Sequence, residues 1–303
     1  LTRTVYEARL MGQVAREKGL ATHMGNQGTA DSGLRQAAAW LRAGVLGTVQ
    51  EVHVWTNRPI WPQGILTPTV RPCPDNLDWD AWIGPAPMRK YASDYHPFKW
   101  RGWWDFGTGA LGDMACHNIN MPFMGLDLRD PISVQATTSG HNRDSFPQSS
   151  TVTYQFAPNE WRSGLKLVWY DGGALPPAEI CEGMERRTSG SLVIGEKGKL
   201  WGDGKLLAGA EKTDVEFPVS PGHVEEWVRA IRGGEPAMSN FPNYASPLAE
   251  TVLIGNLAVW LAVKENEDSA TVAWDAKNMT DKNVDGLEAM IKPTYRSGYT
   301  LDA

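Results

Sequence analysis

Between residues 131 and 201 one pattern recurs: short runs of β-branched and aromatic residues closed by turn residues. The runs are "PISVQATTSG", "SSTVTYQFA", "GLKLVWYDG" and "GSLVIGEKGKLWGDG". Short apolar runs separated by such turns predict an antiparallel sheet. The strands at 151–170 and 191–201 carry apolar residues on both alternations: Val152, Tyr154 and Phe156; Leu165, Leu167, Val168 and Trp169; Leu192, Val193 and Ile194. Successive strand residues face opposite ways, so both faces of the sheet need cover. Helical patterns at 223–232 and 246–263 can cover one face. The other predicts a large apolar patch and a face-to-face homo-oligomer, a dimer or tetramer.

The rest of the chain supplies the helices. Residues 3–19 place Val5, Ala8, Met11, Val14 and Ala15 at helical spacing, ended by Gly19. "ATHMGNQG" predicts a short strand running into a glycine-containing loop. "SGLRQAAAWLRAGVLG" predicts a helix with Ser32 as N-cap and Gly44 or Gly47 closing it. "TVQEVHVWTN" alternates Val49, Val52 and Val54 with polar neighbours and predicts a half-buried strand. Residues 58–100 are proline-rich and irregular, and long loops of that kind are usually functional. A helix around 112–126 follows. "SPLAETVLIGNLAVWLAVKEN" predicts a further helix, with Ser246 and Glu250 resembling a shifted capping box. The fold class expected is therefore α/β plus α+β: part of an α/β unit, then a large open, mainly antiparallel sheet with helices on one face.

Composition excludes several partners. The net charge is −6 without a basic cluster, which argues against nucleic acid. No apolar run approaches the length of a membrane span. The segment opens at Leu1 without a charged and apolar leader, so no signal peptide is visible; a soluble protein is expected, and cytoplasm and periplasm both stay open as its compartment. Cys73, Cys116 and Cys181 are scattered and odd in number, which supports neither a disulfide framework nor a zinc knuckle. Fourteen tryptophans are unusual in 303 residues. Indole faces suit the flat side of a pyranose, although most tryptophans in any chain pack in the core.

The stretch with most chemistry is "GTGALGDMACHNIN", residues 107–120. Asp113 and His117 stand four apart, on one helical face. Three readings are open: a helix end, a metal site, or a proton-handling pair facing a substrate. For a metal, Asp105 or Asp171 would have to supply a third ligand, and the spacing lacks the tightness of a dedicated site. A divalent ion is therefore possible but not favoured. "KWRGWWDFG" precedes the motif and offers Lys99, Arg101, Trp104 and Asp105 as cleft-lining, substrate-binding residues. Tyr170 and Asp171, at a strand end, are further substrate candidates. Cys116 is expected to pack as a small hydrophobe.

The segments "MGNQG", "AGVLGTVQEVHVWTNRPIWPQG", "LDWDAWIGPAP", "WRGWWDFGTGALGDMACH", "LVWYDGG", "PLAETVLIGNLA" and "YRSGY", in this order, resemble the glucose–fructose oxidoreductase / inositol dehydrogenase / MocA family, and most of all its Trp-rich bacterial branch. The resemblance implies an N-terminal dinucleotide-binding domain, a C-terminal α/β domain, NAD or NADP as cofactor and a carbohydrate substrate. It implies His117 as general acid/base with Asp113 orienting it or binding the sugar. It implies Asn26 and Gln27 near the nicotinamide, and Tyr295 and Arg296 in a closing loop. Family members open on a strand leading into a G-x-G-x-x-G turn. No such opening is found here, and the family's catalytic lysine would lie just before residue 1. The expected divisions are 1–30, the end of a dinucleotide-binding domain; 31–285, a substrate domain; and 286–303, a tail returning to the cleft. A sugar- or glycoside-acting NAD(P) oxidoreductase is the leading expectation. The alternatives are a glycoside hydrolase or lyase, redox-assisted or metal- and carboxylate-dependent, and a non-catalytic sugar-binding remnant.

Overall fold

The computed structural model of the chain describes residues 1–181, 185, 187–207 and 209–301. The end of the tail, 302–303, lies outside the described residues. The elements in order are α1 (Val5–Glu17), α2 (Ser32–Arg42), β1 (Val49–Trp55), α3 (Trp79–Ile83), α4 (Gly109–Asn118) and α5 (Asn120–Leu126). Then come β2 (Ser133–Thr138), β3 (Ser150–Phe156), β4 (Leu165–Tyr170), β5 (Gly190–Gly195), β6 (Gly198–Trp201) and β7 (Leu206–Leu207). The chain continues with α6 (His223–Ile231), α7 (Ser246–Leu261), β8 (Val272–Asp275), β9 (Thr280–Asp281) and α8 (Glu288–Ile291).

The strands form one nine-stranded sheet in the order β7-β6-β5-β1-β4-β3-β2-β8-β9. It is antiparallel except where β1 runs parallel to β4, with Val52 opposite Leu167 and Val54 opposite Trp169. The architecture is thus a mixed α/β fold on a large, mainly antiparallel open sheet. The main core lies under the inner face, where Val52, Val54, Leu167, Trp169, Val152 and Tyr154 meet α7 and its neighbours. Apolar on all sides, α7 is buried at every position from Ser246 to Val259 except Pro247, as such a helix must be. Its backbone approaches the sheet at Gly255, where a Cβ would collide with the Tyr154 hydroxyl. Across α7 lies α1, anchored by a bidentate Arg9–Glu250 ion pair with one contact of 2.7 Å.

Several local expectations change. Residues 20–26 form no strand: Met24 makes a single backbone bond to Ser239, no neighbouring strand among the described residues offers a ladder, and a 3-10 turn follows at Gln27–Ala30. The N-cap of α2 is Asp31, not Ser32; its carboxylate accepts from the Leu34 amide at 2.8 Å. The expected helix 112–126 is two helices joined at Ile119. Ser246 and Glu250 form no capping box: Ser246 Oγ lacks a partner among the described residues and Glu250 belongs to Arg9. Strand β1 is buried on both faces towards its end rather than on one.

The second face of the sheet also departs from expectation. Trp55, Val168, Tyr170, Leu192 and Trp201 form a separate buried cluster there, packed by Ala174 and Ile180 of the chain's own connection. The other half of that face is polar, with Thr151, Thr153 and Gln155 on β3. Val193 points into the main core. Among the described residues this apolar half is covered by the chain's own connection, so the large exposed apolar patch expected on that face is not found there.

Candidate active site

The motif helix α4 begins at Gly109, in the left-handed region at φ +63°, and carries Asp113 and His117 one turn apart. His117 Nδ1 lies 2.9 Å from the Asn26 side-chain oxygen. The Asn26 amide nitrogen donates to the Cys116 carbonyl, which fixes which end of the carboxamide faces the ring. An acceptor oxygen opposite Nδ1 places the proton on Nδ1 and leaves the Nε2 lone pair free. Asn26 is buried, whereas the outer side of His117 is exposed to solvent. Burial of the ring's inner part lowers the His117 pKa, and the Asp113 charge opposes this more weakly. A neutral imidazole with a bare, solvent-facing nitrogen is a base ready to take a hydroxyl proton.

Among the described residues Asp113 is not hydrogen-bonded to His117 and acts on it through its charge. It faces Arg101, with Nε 3.5 Å from Oδ1. The Arg101 guanidinium also lies over the Phe98 and Trp100 rings, at 4.8 and 4.6 Å, and donates to the Phe98 carbonyl. Cys116 is the inert neighbour expected: burial pushes its thiol up to about 11.

A cleft of about 350 Å³ is lined by neighbours of Arg101 in this segment, whereas Arg101, Asp113 and His117 are not among its lining residues. Trp100 and Asp105 enter it from this segment, Trp82 from α3, Arg3 and Glu7 from the start of α1, and Tyr295 from the tail. Two indoles with carboxylate, guanidinium and phenol groups suit a ring bearing hydroxyls. The Tyr295 hydroxyl donates to Glu7 at 2.7 Å, and Arg3 donates to the Trp104 carbonyl, so tail, helix and segment are tied together. Asp105 is held by Arg89 at 3.1 Å; burial raises its pKa against that charge. Arg3 and Glu7 were not anticipated, although the Thr4-x-x-Glu7 capping-box spacing was visible. Both halves of that box form, the Thr4 side chain accepting from the Glu7 amide and Glu7 from the Thr4 amide at 3.0 Å.

Other expected residues lie elsewhere. Trp104 is 5% exposed in the core, stacked on Phe146 at 3.6 Å and edge-on to Trp260. Tyr170 is on the far face of the sheet, its hydroxyl 3.0 Å from His53 Nδ1, and burial pushes it up to about 12. Asp171 is buried, accepting from the Ser150 amide and hydroxyl and from the Trp169 indole; burial raises it to about 6. These three hold the fold together rather than line the cleft. Lys99 faces Asp94 at 3.5 Å. Arg296 is bonded to Asp80 and, at 3.0 Å, to the Gly84 carbonyl, pinning the tail to α3. Gln27 is exposed beside Asn26.

Among the described residues no group of three or more His, Cys, Asp or Glu could hold a metal ion, and Asp113 is committed to Arg101. Dinucleotide binding can be tested at Gly107-Thr-Gly109-Ala-Leu-Gly112, which has the G-x-G-x-x-G spacing without a strand before it. The space beside each glycine is filled by the chain itself. A Cβ at 107 would strike the Arg101 backbone, one at 109 the Phe146 ring at 2.7 Å, and one at 112 the Thr108 side chain. These glycines serve close packing, and they make no pyrophosphate cradle. No helix among the described residues is long and apolar enough to cross a membrane.

Comparison with known proteins agrees with the architecture. Residues 41–301 match the model of the oxidoreductase family, C-terminal alpha/beta domain. A search of curated proteins gave no match. Among solved structures, the WlbA dehydrogenase from Bordetella pertussis, in complex with NADH and UDP-GlcNAcA, is similar at 15% identity and TM-score 0.54 over 90% of this chain and 70% of that one. The aldose–aldose oxidoreductase from Caulobacter crescentus, complexed with glycerol, gives 14% and 0.50 over 88% and 69%. Levoglucosan dehydrogenase, in complex with NADH and levoglucosan, gives 14% and 0.50 over 88% and 71%. At these identities the likeness is one of fold. With a family match spanning most of its length, the chain belongs to the Gfo/Idh/MocA oxidoreductases through their C-terminal α/β domain.

Proposed function

We propose that this chain handles the carbohydrate in an NAD(P)-linked oxidation or reduction of a sugar, cyclitol or glycoside. The hydrogen-bond chain from the Cys116 carbonyl through Asn26 to His117 Nδ1 carries this reading, because it sets Nε2 as a proton acceptor. With a nicotinamide bound to accept hydride from the carbinol carbon, Nε2 would take the proton of that carbon's hydroxyl, and in reverse the imidazolium would return it. Arg101 holds Asp113 one turn away, where its charge favours that imidazolium. Trp82 and Trp100 would take the ring face, and Glu7, Asp105 and Tyr295 the hydroxyls.

Two of the solved neighbours are described with NADH, and a nicotinamide is the hydride partner this reading requires. The test is a panel of aldoses, uronates, cyclitols and aryl glycosides with NAD⁺ or NADP⁺. Reduced nicotinamide is followed in turnover and carbohydrate binding in titration. The expected result is binding of at least one class, weakened by Asp105→Asn, with turnover that His117→Ala removes. Absence of carbohydrate binding across the panel would overturn the proposal.

A further inference from the structure

We infer that the cavity between α2, α5 and α6 is a second binding site, for a small organic anion with an apolar body. The cavity measures about 640 Å³, within the range of ligand pockets, and shares no lining residue with the cleft or with His117. Phe123, Met124, Phe217, Val219 and Met238 give it apolar walls.

Its charge is unbalanced in favour of guanidinium. Four arginines line it, Arg35, Arg42, Arg129 and Arg229, against Asp127, Glu226 and Glu235. Two of the acids are spent internally. Glu226 pairs with Arg35, both side chains 3% exposed, and Asp127 binds Arg129 at 2.7 Å. Among the described residues Arg42 donates to the Met124 carbonyl and lies over the Trp161 ring at 5.0 Å, and Arg229 donates to the Glu235 carbonyl; neither faces a carboxylate. Each keeps guanidinium N–H groups without a hydrogen-bond partner there, and so does Arg129, which uses Nε on Asp127 and Nη2 on the Asn243 carbonyl. Guanidinium forks on facing elements are suited to a carboxylate or phosphate, which they bind through paired N–H groups.

The site is preformed. Arg35 reaches from α2 to the Thr29 carbonyl, to the Pro218 carbonyl and to Glu226 on α6, joining the floor to two walls. Little ordering is then left to cost affinity on binding.

The test is calorimetric titration with phenyl phosphate, phenylacetate, inorganic phosphate and benzyl alcohol. Saturable 1:1 binding of phenyl phosphate or phenylacetate is expected, the tighter of the two naming the head group. Inorganic phosphate and benzyl alcohol should each bind at least tenfold more weakly. Arg42→Gln and Arg229→Gln should each weaken the aromatic anion tenfold or more, while His117→Ala leaves it unchanged. Urea midpoints of the variants guard against misfolding; should Arg42→Gln unfold, Arg229→Gln decides. No saturable binding, equal binding of benzyl alcohol or inorganic phosphate, or full affinity in both arginine variants would overturn the inference. Because His117→Ala enters only here as a control, failure of this site leaves the proposed activity standing.

Discussion

His117 Nδ1 and the Asn26 side-chain oxygen stand 2.9 Å apart, and the other end of the Asn26 carboxamide is anchored on the Cys116 carbonyl. Asn26, which the family resemblance implied beside a nicotinamide, holds the imidazole. Asn26→Ala should therefore lower turnover by about ten- to a hundredfold, as loss of a group that orients a reactive imidazole generally does, with carbohydrate affinity little changed. Asn26→Asp should behave differently. A carboxylate beside Nδ1 stabilises the imidazolium, so the His117 pKa rises and the acid limb of the pH–rate profile moves to higher pH. Steady-state profiles of both variants check this; an unmoved limb in Asn26→Asp contradicts it.

Asp171 accepts from three donors and faces no cation among the described residues. A carboxamide in its place would set an NH₂ group among them, so Asp171→Asn should destabilise the fold by about 1–3 kcal/mol. Urea denaturation reads that loss. Carbohydrate affinity measured on the folded variant should stay at the wild-type value; a specific loss of affinity would return Asp171 to the cleft.

Gly107 and Gly109 are packing glycines. Gly109→Ala must place a Cβ against Phe146 at positive φ, and Gly107→Ala one against the Arg101 backbone. Each should lower the denaturation midpoint, by about 1–3 kcal/mol of stability. Thermal unfolding of the isolated variants checks it; unchanged stability would reopen a ligand-binding role for the loop.

Stability should fall as pH is lowered from about 7 to about 6. Burial lowers the pKa of His23, His53, His117, His141 and His223. For each, the unfolded chain takes up a proton before the folded one does, so the unfolded state binds more protons in this window and stability rises with pH. Three carboxylates that burial raises pull the other way, Asp171 (to about 6), Asp105 and Glu250, against five histidines. Urea midpoints at the two pH values decide; a flat or reversed dependence contradicts the burial of these rings.

Local order was legible in the sequence. The helix at 223–231, the strands at 133–201 and the shared face of Asp113 and His117 follow from periodicity, which depends on neighbours a few residues away. Long-range placement was not. Nothing local says that β1 runs parallel beside β4, and that pairing decides which side Tyr170 occupies. Tyr170 and Asp171 are adjacent in sequence yet serve different environments, one bonded to His53 and one to Ser150 and Trp169. Trp104 and Trp100 are equally aromatic, and only the packing of Phe146 and Trp260 sends Trp104 inward. Residues 20–26 carry a strand-like pattern, but a strand needs a partner and none among the described residues stands beside them.

The central claim is that His117 Nε2 is the proton acceptor. Its most direct test is the pH dependence of kcat/KM for the wild type and for His117→Ala on the best carbohydrate found. The wild type should lose activity on the acid side with an apparent pKa below the ordinary histidine value, because burial favours the neutral ring. His117→Ala should be slower by about two to four orders of magnitude and lack that limb. A variant that keeps wild-type turnover, or one that is slow but titrates with the same limb, would contradict it.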